Sequence, residues 1–433
     1  MRSPSAVPTA RGVLAPRRPA RNRFAGVDAG APPSSSARPR RGTVSHGPTE
    51  RGQAPALPRA PRVTIVSGSV GAGHDGVARE LAGRLRADGV DVVVLDHLDF
   101  VPWPLRRLLA DGYRVSVGHA PFVFEWLFQR LEDSRVVLGA ADLLCRVAGR
   151  RLAATLTDAD ADADVVVSTY PLASRSIGQL AETGRLAAAT VTYLTDPAPH
   201  RTWVHPHVGE HLTVTQPTAA AGQQRYGVPM RAAGPLVPQM FGAAVGSRER
   251  QRIRAELGLT PQDLAVLLSA GSLGLGDVEA AAGAVRDAGG VPVVLCGHNT
   301  RLQRRIADRG HRALGWRGDV ASLMAGCDVL VHNAGGLSLT EALAAGLPAV
   351  TYAPIAGHGR ANAALLDSSG LVPWARSKDE LATCLHAAAT QPRAPLPPVD
   401  RPAAQLIADL ARVAVRRRPE HGGPAAVRQQ AAG

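Results

Sequence analysis

Short apolar runs alternate with longer segments of helical period through the middle of the chain. Arg62-Val63-Thr64-Ile65-Val66-Ser67 reads as a strand, Gly68 to His74 as a glycine loop, and Asp75 to Asp88 as a helix. Gly89 follows, then a strand at Val90 to Leu95. Strand, glycine turn, helix, strand is a parallel crossover unit. Val165 to Pro171 predicts another strand and turn, Thr190 to Thr195 a strand, and Val214 to Thr218 the end of one more. Gly234-Pro235-Leu236-Val237 leads out of this first half.

The second half repeats the alternation. It opens with a helix at Arg248 to Leu257, a buried strand at Leu264 to Ser269, and a glycine turn at Ala270 to Gly274. Strands follow at Val291 to Cys296 and Val329 to His332, with a helix at Asp319 to Ala325 between them. Asn333-Ala334-Gly335-Gly336 turns the chain into a helix at Leu337 to Ala345, whose Leu339, Ala342 and Leu343 share a side. Gly346 and Pro348 form a stop pair before a strand at Ala349 to Tyr352. A helix at Ala361 to Ser369, a strand at Leu371 to Trp374 and a helix from Lys378 complete this half. The last helix, about Ala403 to Arg417, is expected to cross back to the first half.

The fold class expected is α/β, with two Rossmann-like domains facing a cleft. The boundaries expected are 61–236 for the first, 237–247 for a linker, 248–390 for the second and 391–417 for the crossing helix. Residues 1–60 and 418–433 have no sustained apolar period and are expected to be disordered tails.

Composition changes this picture little. Of 433 residues, 45% are hydrophobic and only 4% aromatic, so the core is expected to be aliphatic. No apolar run reaches the roughly 18 residues that span a bilayer. Cys145, Cys296, Cys327 and Cys384 show no paired or zinc-like spacing, so reduced thiols in a cytosolic protein are expected. The net charge is +13, and the first 59 residues contribute +9 of it through eleven arginines. Three readings of that tail compete: an unselected extension, an anionic-membrane tether, and a nucleic-acid-binding arm. The first two rank above the third, and no nucleic acid is expected as a partner.

The glycine turns are where chemistry is expected. At a helix start the first N–H groups are unpaired and the dipole is positive, so Gly335, Gly336, Leu337 and Ser338 suit a diphosphate. Glu341, one turn further on, can accept hydrogen bonds from both hydroxyls of a ribose. The competing reading makes Ser338 and Glu341 a capping box. His74 sits where the first glycine loop meets its helix; an imidazole near neutrality can take a proton from a hydroxyl, or it merely positions the helix. Phe100 to Phe128 concentrates the scarce aromatics, with seven of the sixteen. Trp103, Phe122 and Trp126 beside Arg106 and Arg107 suit an interfacial membrane contact, or else a lid packed on the first domain. His200, His205 and His207 lie within eight residues, but no carboxylate or cysteine pattern completes a metal site there.

The run Gly315-Trp316, Met324, Asp328, Ala334-Gly335-Gly336, Thr340-Glu341-Ala342-Leu343, Gly346-Leu347-Pro348, Pro354-Ile355, Gly357 and Asn362 resembles one known family. It is similar to the C-terminal nucleotide-sugar-binding domain of GT-B glycosyltransferases, specifically the monogalactosyldiacylglycerol synthase group. That group is related to the bacterial peptidoglycan N-acetylglucosaminyltransferase. Gly71, Gly73 and His74 resemble its early glycine loop ending in Gly-His. Thr195-Asp196, His200, Trp203 and His205-Pro206 resemble its acceptor-side cleft. Gly297-His298-Asn299 resembles its Cys-Gly-x-Asn turn.

The resemblance implies a peripheral enzyme at the inner face of the cell membrane. It would move a hexose from a UDP-sugar to a diacylglycerol-type lipid with inversion, UDP-sugar being a co-substrate and no cofactor or metal being required. It implies that Gly271, Ser272 and Asn299 face the donor, that the Trp316–Arg317 loop contacts uracil, and that His358 and Asn362 lie near the sugar. His74 or Asp196 would be the base, or Asp196 would orient His74. One departure stands out. The family's Pro-Gly-Gln-Glu is Ala356-Gly357-His358-Gly359 here, with Arg360 a partial substitute. This leaves galactose, glucose and N-acetylglucosamine open. It also leaves open a secondary-metabolite or cell-wall acceptor, and a nucleotide-sugar-binding protein without catalysis.

Overall fold

The computed structural model describes residues 59–156, 163–243 and 245–417. The expected disordered tails lie outside these residues apart from positions 59 and 60.

The first half builds one parallel sheet. Its elements are β1 (Arg62–Ser67), α1 (Ala72–Ala87), β2 (Asp91–Asp96), α2 (Trp103–His119), α3 (Pro121–Asp133), α4 (Arg135–Leu156), β3 (Val165–Ser168), α5 (Pro171–Glu182), β4 (Ala189–Leu194), β5 (Glu210–Thr213), α6 (Gln216–Tyr226) and β6 (Met230–Ala232). The six strands lie in the order β2-β1-β3-β4-β5-β6. Aliphatic clusters fill both faces: Val63, Ile65, Leu81 and Leu85 on one side, and Val66, Val166, Leu152 and Ile177 on the other. Burial on both faces explains why these strands read as continuous apolar runs.

The second half builds another parallel sheet from α7 (Ser247–Glu256), β7 (Leu264–Ser269), α8 (Val278–Asp287), β8 (Gly290–Leu295), α9 (Thr300–Asp308), β9 (Arg312–Leu314), α10 (Val320–Gly326), β10 (Val329–His332), α11 (Leu337–Ala344), β11 (Ala349–Tyr352), α12 (His358–Ser368), β12 (Trp374–Ala375) and α13 (Lys378–Thr390). Its order is β12-β11-β10-β7-β8-β9. Helix α14 (Ala403–Arg417) returns to the first sheet, where Ala403, Leu406, Ile407 and Ala411 join the cluster around Val63 and Leu81. Two Rossmann-like α/β units with a cleft between them is the architecture expected.

The strand orders decide where the cleft sits. In each sheet the winding reverses once, between β1 and β3 and between β7 and β10. A crevice opens at the carboxyl ends of strands at such a reversal. The three glycine turns that follow β1, β7 and β10 therefore converge there.

Several boundaries differ from expectation. Helix α1 begins at Ala72, so Gly73 and His74 belong to its first turn rather than to a loop. Strand β5 stops at Thr213, and Thr215 accepts from Thr218 N–H to cap α6 where a strand end was expected. Helix α12 begins at His358, three residues early, because the cap that starts it comes from outside its own sequence. The expected strand at Leu371 to Trp374 is instead β12 at Trp374–Ala375. The 22-residue helix α4 was not foreseen.

Ile407 is fully buried in the first domain's core. Ile407→Ala should cost about 2–4 kcal/mol through lost transfer energy and a residual cavity. Urea unfolding checks this; an unchanged midpoint would show that α14 does not hold the first domain together.

Candidate functional site

The turn after β10 is shaped by side chains of the strand and turn themselves. His332, the last residue of β10, is buried; its Nδ1 accepts from Gly335 N–H at 3.1 Å and its Nε2 lies 3.0 Å from Thr351 Oγ1. Burial holds its pKa far down, at about 3, so it stays a neutral acceptor. Asn333 Nδ2 donates to Leu275 O at 2.7 Å, tying this turn to the one after β7. Gly335 has φ +80, and a Cβ there would lie 2.9 Å from Asn362 Cβ. Sequence reasoning read His332 only as a strand end; its polar side chain inside an apolar run was the signal available.

Helix α11 starts with no side-chain cap on Gly336. Its first N–H groups therefore face open space. Ser338 is the second helical residue rather than the N-cap, so the capping-box geometry is not formed. Among the described residues Glu341 has no hydrogen-bonding partner. Burial alone raises its pKa from 4.5 to about 7.

A cavity of about 570 Å³ opens over this helix start, within the range for small-molecule sites. It is lined by Gly271 and Ser272 from one turn, by Gly335, Gly336, Ser338 and Glu341 from another, and by Gly71 and Gly73 of the first domain. Trp316 and Arg317 form its far wall. Trp316 is 54% exposed and stacks on His298 with centroids 4.3 Å apart, so it is not a core residue. Arg317 is paired with Asp319 at 2.7 Å.

The two domains touch through their glycine-led helices. Leu337 is the wedge: a Cβ on Gly76 would lie 2.6 Å from Leu337 Cδ2, and one on Gly73 would lie 3.8 Å from Leu337 Cβ. Ala72 N–H donates to Ser272 Oγ across the cleft at 3.3 Å. Asp75 fixes the first turn by accepting from Ser67 Oγ at 2.7 Å and Ser69 Oγ at 2.9 Å.

Beside Leu337 a smaller cavity of about 120 Å³ is lined by His74, Thr195, Asp196, Thr340 and His358. His74 Nδ1 lies 3.2 Å from Thr195 Oγ1. Burial lowers the His74 pKa, offset in part by the Asp196 charge, so the ring is neutral near pH 7. Trp203 is buried behind this pair and donates Nε1–H to Asp196 at 2.9 Å. Asp196 and His74 are thus brought together, with a neutral imidazole beside a carboxylate that Trp203 orients.

Other expected residues are placed elsewhere. Asn362 lines neither cavity; it is buried, its Oδ1 accepting from Ala198 N–H at 2.8 Å and its Nδ2 donating to Ala334 O at 2.8 Å. Asn299 caps α9 through Leu302 N–H rather than facing the cavity. His200 is stacked on Phe128 with centroids 4.1 Å apart, and its Nε2 lies 3.0 Å from Phe128 O. His205 packs on Gly178, with Nε2 3.7 Å from the Glu182 carboxylate. Both histidines support the first domain rather than lining the cleft, because their rings fill gaps between helices. Among the described residues no three His, Cys, Asp or Glu side chains are grouped to hold a metal ion.

The aromatic segment divides by face. Trp103 is 64%, Phe122 75% and Trp126 55% exposed. Leu108 and Val115 on α2, and Val136 and Leu143 on the following helix α4, are exposed as well. This excludes a lid buried on the first domain for these positions. Arg107 lies over the Trp103 ring at 4.3 Å, and Arg106 pairs with Asp99 at 2.6 Å. No helix among the described residues is long and apolar enough to cross a membrane.

Fold and site together define a two-domain α/β protein of GT-B type, with an exposed helix start, glycine turns and the Glu341 carboxylate at one cavity, and His74 with Asp196 at the cavity beside it. Residues 74–231, in the first domain, match the family model for monogalactosyldiacylglycerol (MGDG) synthase. The chloroplastic monogalactosyldiacylglycerol synthase of Spinacia oleracea is 26% identical over 357 residues, covering 75% of this chain and 66% of that protein. This chain thus spans just under two thirds of that relative's length. The processive diacylglycerol beta-glucosyltransferase of Bacillus pumilus is 25% identical over 321 residues, covering 71% of this chain and 82% of that protein. Among solved structures, Acinetobacter baumannii MurG is 16% identical, covers 83% of this chain and 95% of that one, and has a TM-score of 0.46.

The raised pKa of Glu341 has a signed consequence. Below pH 4.5 the carboxyl is protonated in both folded and unfolded chains and costs nothing. Between 4.5 and about 7 only the unfolded chain ionises, so stability falls as pH rises; above 7 the full cost applies. Glu341→Gln should therefore stabilise the ligand-free protein above pH 7 by up to about 3 kcal/mol and by almost nothing below pH 4.5. Denaturation midpoints of both proteins across this pH range check it; a pH-independent difference would refute it.

Proposed function

We propose that this protein transfers a hexose from a UDP-sugar to a diacylglycerol-type lipid, with inversion, while peripherally bound at the inner face of the cell membrane. The observation that carries the reading is the junction of the two cavities. One has the shape and donors for a nucleoside diphosphate. The other places a neutral imidazole beside a carboxylate, immediately next to that diphosphate site. The names of the relatives, which specify diacylglycerol and galactosyl or glucosyl products, favour a lipid acceptor over a secondary metabolite or cell-wall precursor.

In this reading the diphosphate lies against the N–H groups of Gly336 to Ser338 and the Gly271–Ser272 turn. Glu341 accepts from the ribose hydroxyls, and that ligand supplies the partner its carboxylate lacks. The acceptor hydroxyl enters beside His74. His74, or Asp196 acting directly, removes its proton as the oxygen bonds to the anomeric carbon. The bond from that carbon to the phosphate oxygen breaks on the opposite face, and UDP carries away the electron pair. Fixed helix-start dipoles are already oriented towards that developing charge. The exposed Trp103, Phe122 and Trp126, with Arg107, suit insertion at the lipid interface. Their helices pack beside the acid–base pair, so a lipid need not leave the surface to be glycosylated.

Mass spectrometry of products from the purified protein, given a panel of UDP-sugars and diacylglycerol vesicles, tests the reading. A hexosyl-diacylglycerol is expected; binding of UDP without any transfer would support a nucleotide-sugar-binding protein instead. His74→Ala should slow turnover by about 100-fold with UDP affinity retained. Full activity would remove it from proton transfer and leave Asp196. Replacing both Phe122 and Trp126 by Glu should abolish sedimentation with anionic vesicles. It should leave UDP affinity unchanged, and undiminished sedimentation would refute the interfacial assignment.

A further inference from the structure

The loop in which this chain departs from its family, Ala356 to Gly359, is held by the other domain. Gly357 has φ +68, and a Cβ there would lie 2.6 Å from Phe124 Cε1 on α3. Gly357 is the N-cap of α12 and has no side-chain cap of its own. Glu125, also on α3, supplies one: Oε2 accepts from Gly357 N–H at 2.8 Å. The same oxygen lies 3.3 Å from Arg360 Nη1. Its other oxygen accepts from Gln129 Nε2 at 3.0 Å. A carboxylate at a helix start is stabilised by the helix dipole. Glu125 therefore fixes the backbone that carries His358, the first residue of α12.

His358 is enclosed by the same helices. Its ring lies 6.0 Å from Phe124, edge-on, and 6.1 Å from Tyr113 of α2. Tyr113 lines the larger cavity and His358 the smaller, so the two rings mark the point where the cavities meet. The Asp196 charge acts on both. Among the described residues neither the Tyr113 hydroxyl nor the His358 ring has a hydrogen-bonding partner, although both are partly buried. Polar groups so placed ordinarily find a partner. A ligand rich in hydroxyls, seated between the diphosphate turn and His74, would supply several.

We propose that Tyr113, carried in from the first domain, determines specificity for the transferred hexose, and that Glu125 is a positioning residue that holds His358 opposite it. This rests on the UDP-hexose reading above. It adds a sugar wall built from the lipid-facing helices rather than from the nucleotide domain alone. The phenol hydroxyl and the imidazole bind hexose hydroxyls and touch neither phosphate nor uracil.

The test uses the full chain with diacylglycerol vesicles and the two C4-epimeric donors, UDP-galactose and UDP-glucose. UDP affinity is measured separately by calorimetry. Tyr113→Phe should change the ratio of kcat/KM between the two donors by about fivefold, with UDP affinity within about twofold of the parent. Glu125→Gln should raise KM for the preferred donor by about tenfold, again with UDP affinity kept, and Glu125→Asp should recover part of the loss. Retained UDP binding shows that each variant is folded. If the parent transfers sugar while Tyr113→Phe leaves the donor ratio unchanged and Glu125→Gln leaves KM unchanged, this proposal fails and the transferase reading stands. If the parent uses neither donor, the reading beneath it fails as well.

Discussion

The cleft depends on one buried side-chain amide. Asn362 belongs to α12 of the second domain, yet its Oδ1 accepts from Ala198 N–H of the first. Its Nδ2 donates to Ala334 O in the turn above α11 and lies 3.4 Å from Asp196 Oδ1. A single amide therefore connects the backbone next to Asp196, an oxygen of Asp196 itself, and the turn that starts α11. These half-buried groups would otherwise have to find water as their partner. Gly335 follows from the same contact, since any Cβ at that position would meet Asn362. The register between the domains is set here by hydrogen-bond geometry; apolar packing, as at the Leu337 wedge, has no comparable directionality.

At the glycine turns, what faces the larger cavity is mostly backbone, while its other walls carry side chains such as Leu236, Phe241, Trp316 and Ile355. Glycines at 71, 73, 271, 335 and 336 leave room for a ligand to approach main-chain N–H groups, and Ser338 adds one hydroxyl. Such a surface recognises charge and shape and has little means of distinguishing one sugar from another. Glu341, unpartnered among the described residues, is kept at a cost to the ligand-free fold, because burial opposes its ionisation and no described residue compensates. Under the proposed function its partner would be the ribose of the nucleotide. Stability and binding therefore pull in opposite directions at this residue.

The elements that position the site were largely legible from apolar periodicity. β1, β7, β10 and β11 begin and end where their runs do, since strands buried on both faces leave no ambiguity of register. The glycine turns were legible because a chain reversal before a helix requires them. The motif run that carried the family resemblance lies in the second domain, whereas the family model matches residues 74–231 in the first. His74, Thr195-Asp196, His200, Trp203 and His205-Pro206, which carried a further part of the resemblance, fall inside that match. Less legible was the identity of side chains whose role is set across the cleft. Asn362 read as a donor contact and is a bridge; His200 and His205 read as cleft residues and are packing. Glu125 gave no signal at all, because its partners Gly357 and Arg360 are more than 230 residues away in sequence. A cap supplied from another domain leaves no local pattern, and for the same reason the start of α12 was misplaced.

The two helices that carry the exposed aromatics also have an inward face. On α3, Phe122 and Trp126 point to solvent while Phe124 and Glu125 hold the Gly357–His358 turn. On α2, Trp103 and Leu108 are exposed while Tyr113 lines the cavity. A helix is rigid over such distances, so whatever the outer residues bind also fixes the orientation of the inner ones. Two surfaces that share a rigid element cannot be energetically independent when one of them is displaced. Under the proposed function, lipid engagement on the outside and the geometry of the Gly357–His358 turn on the inside would be linked through α2 and α3. The Glu125 carboxylate supplies the hydrogen bond from those helices to the second domain, beside the ring contacts of Phe124 and Tyr113 with His358.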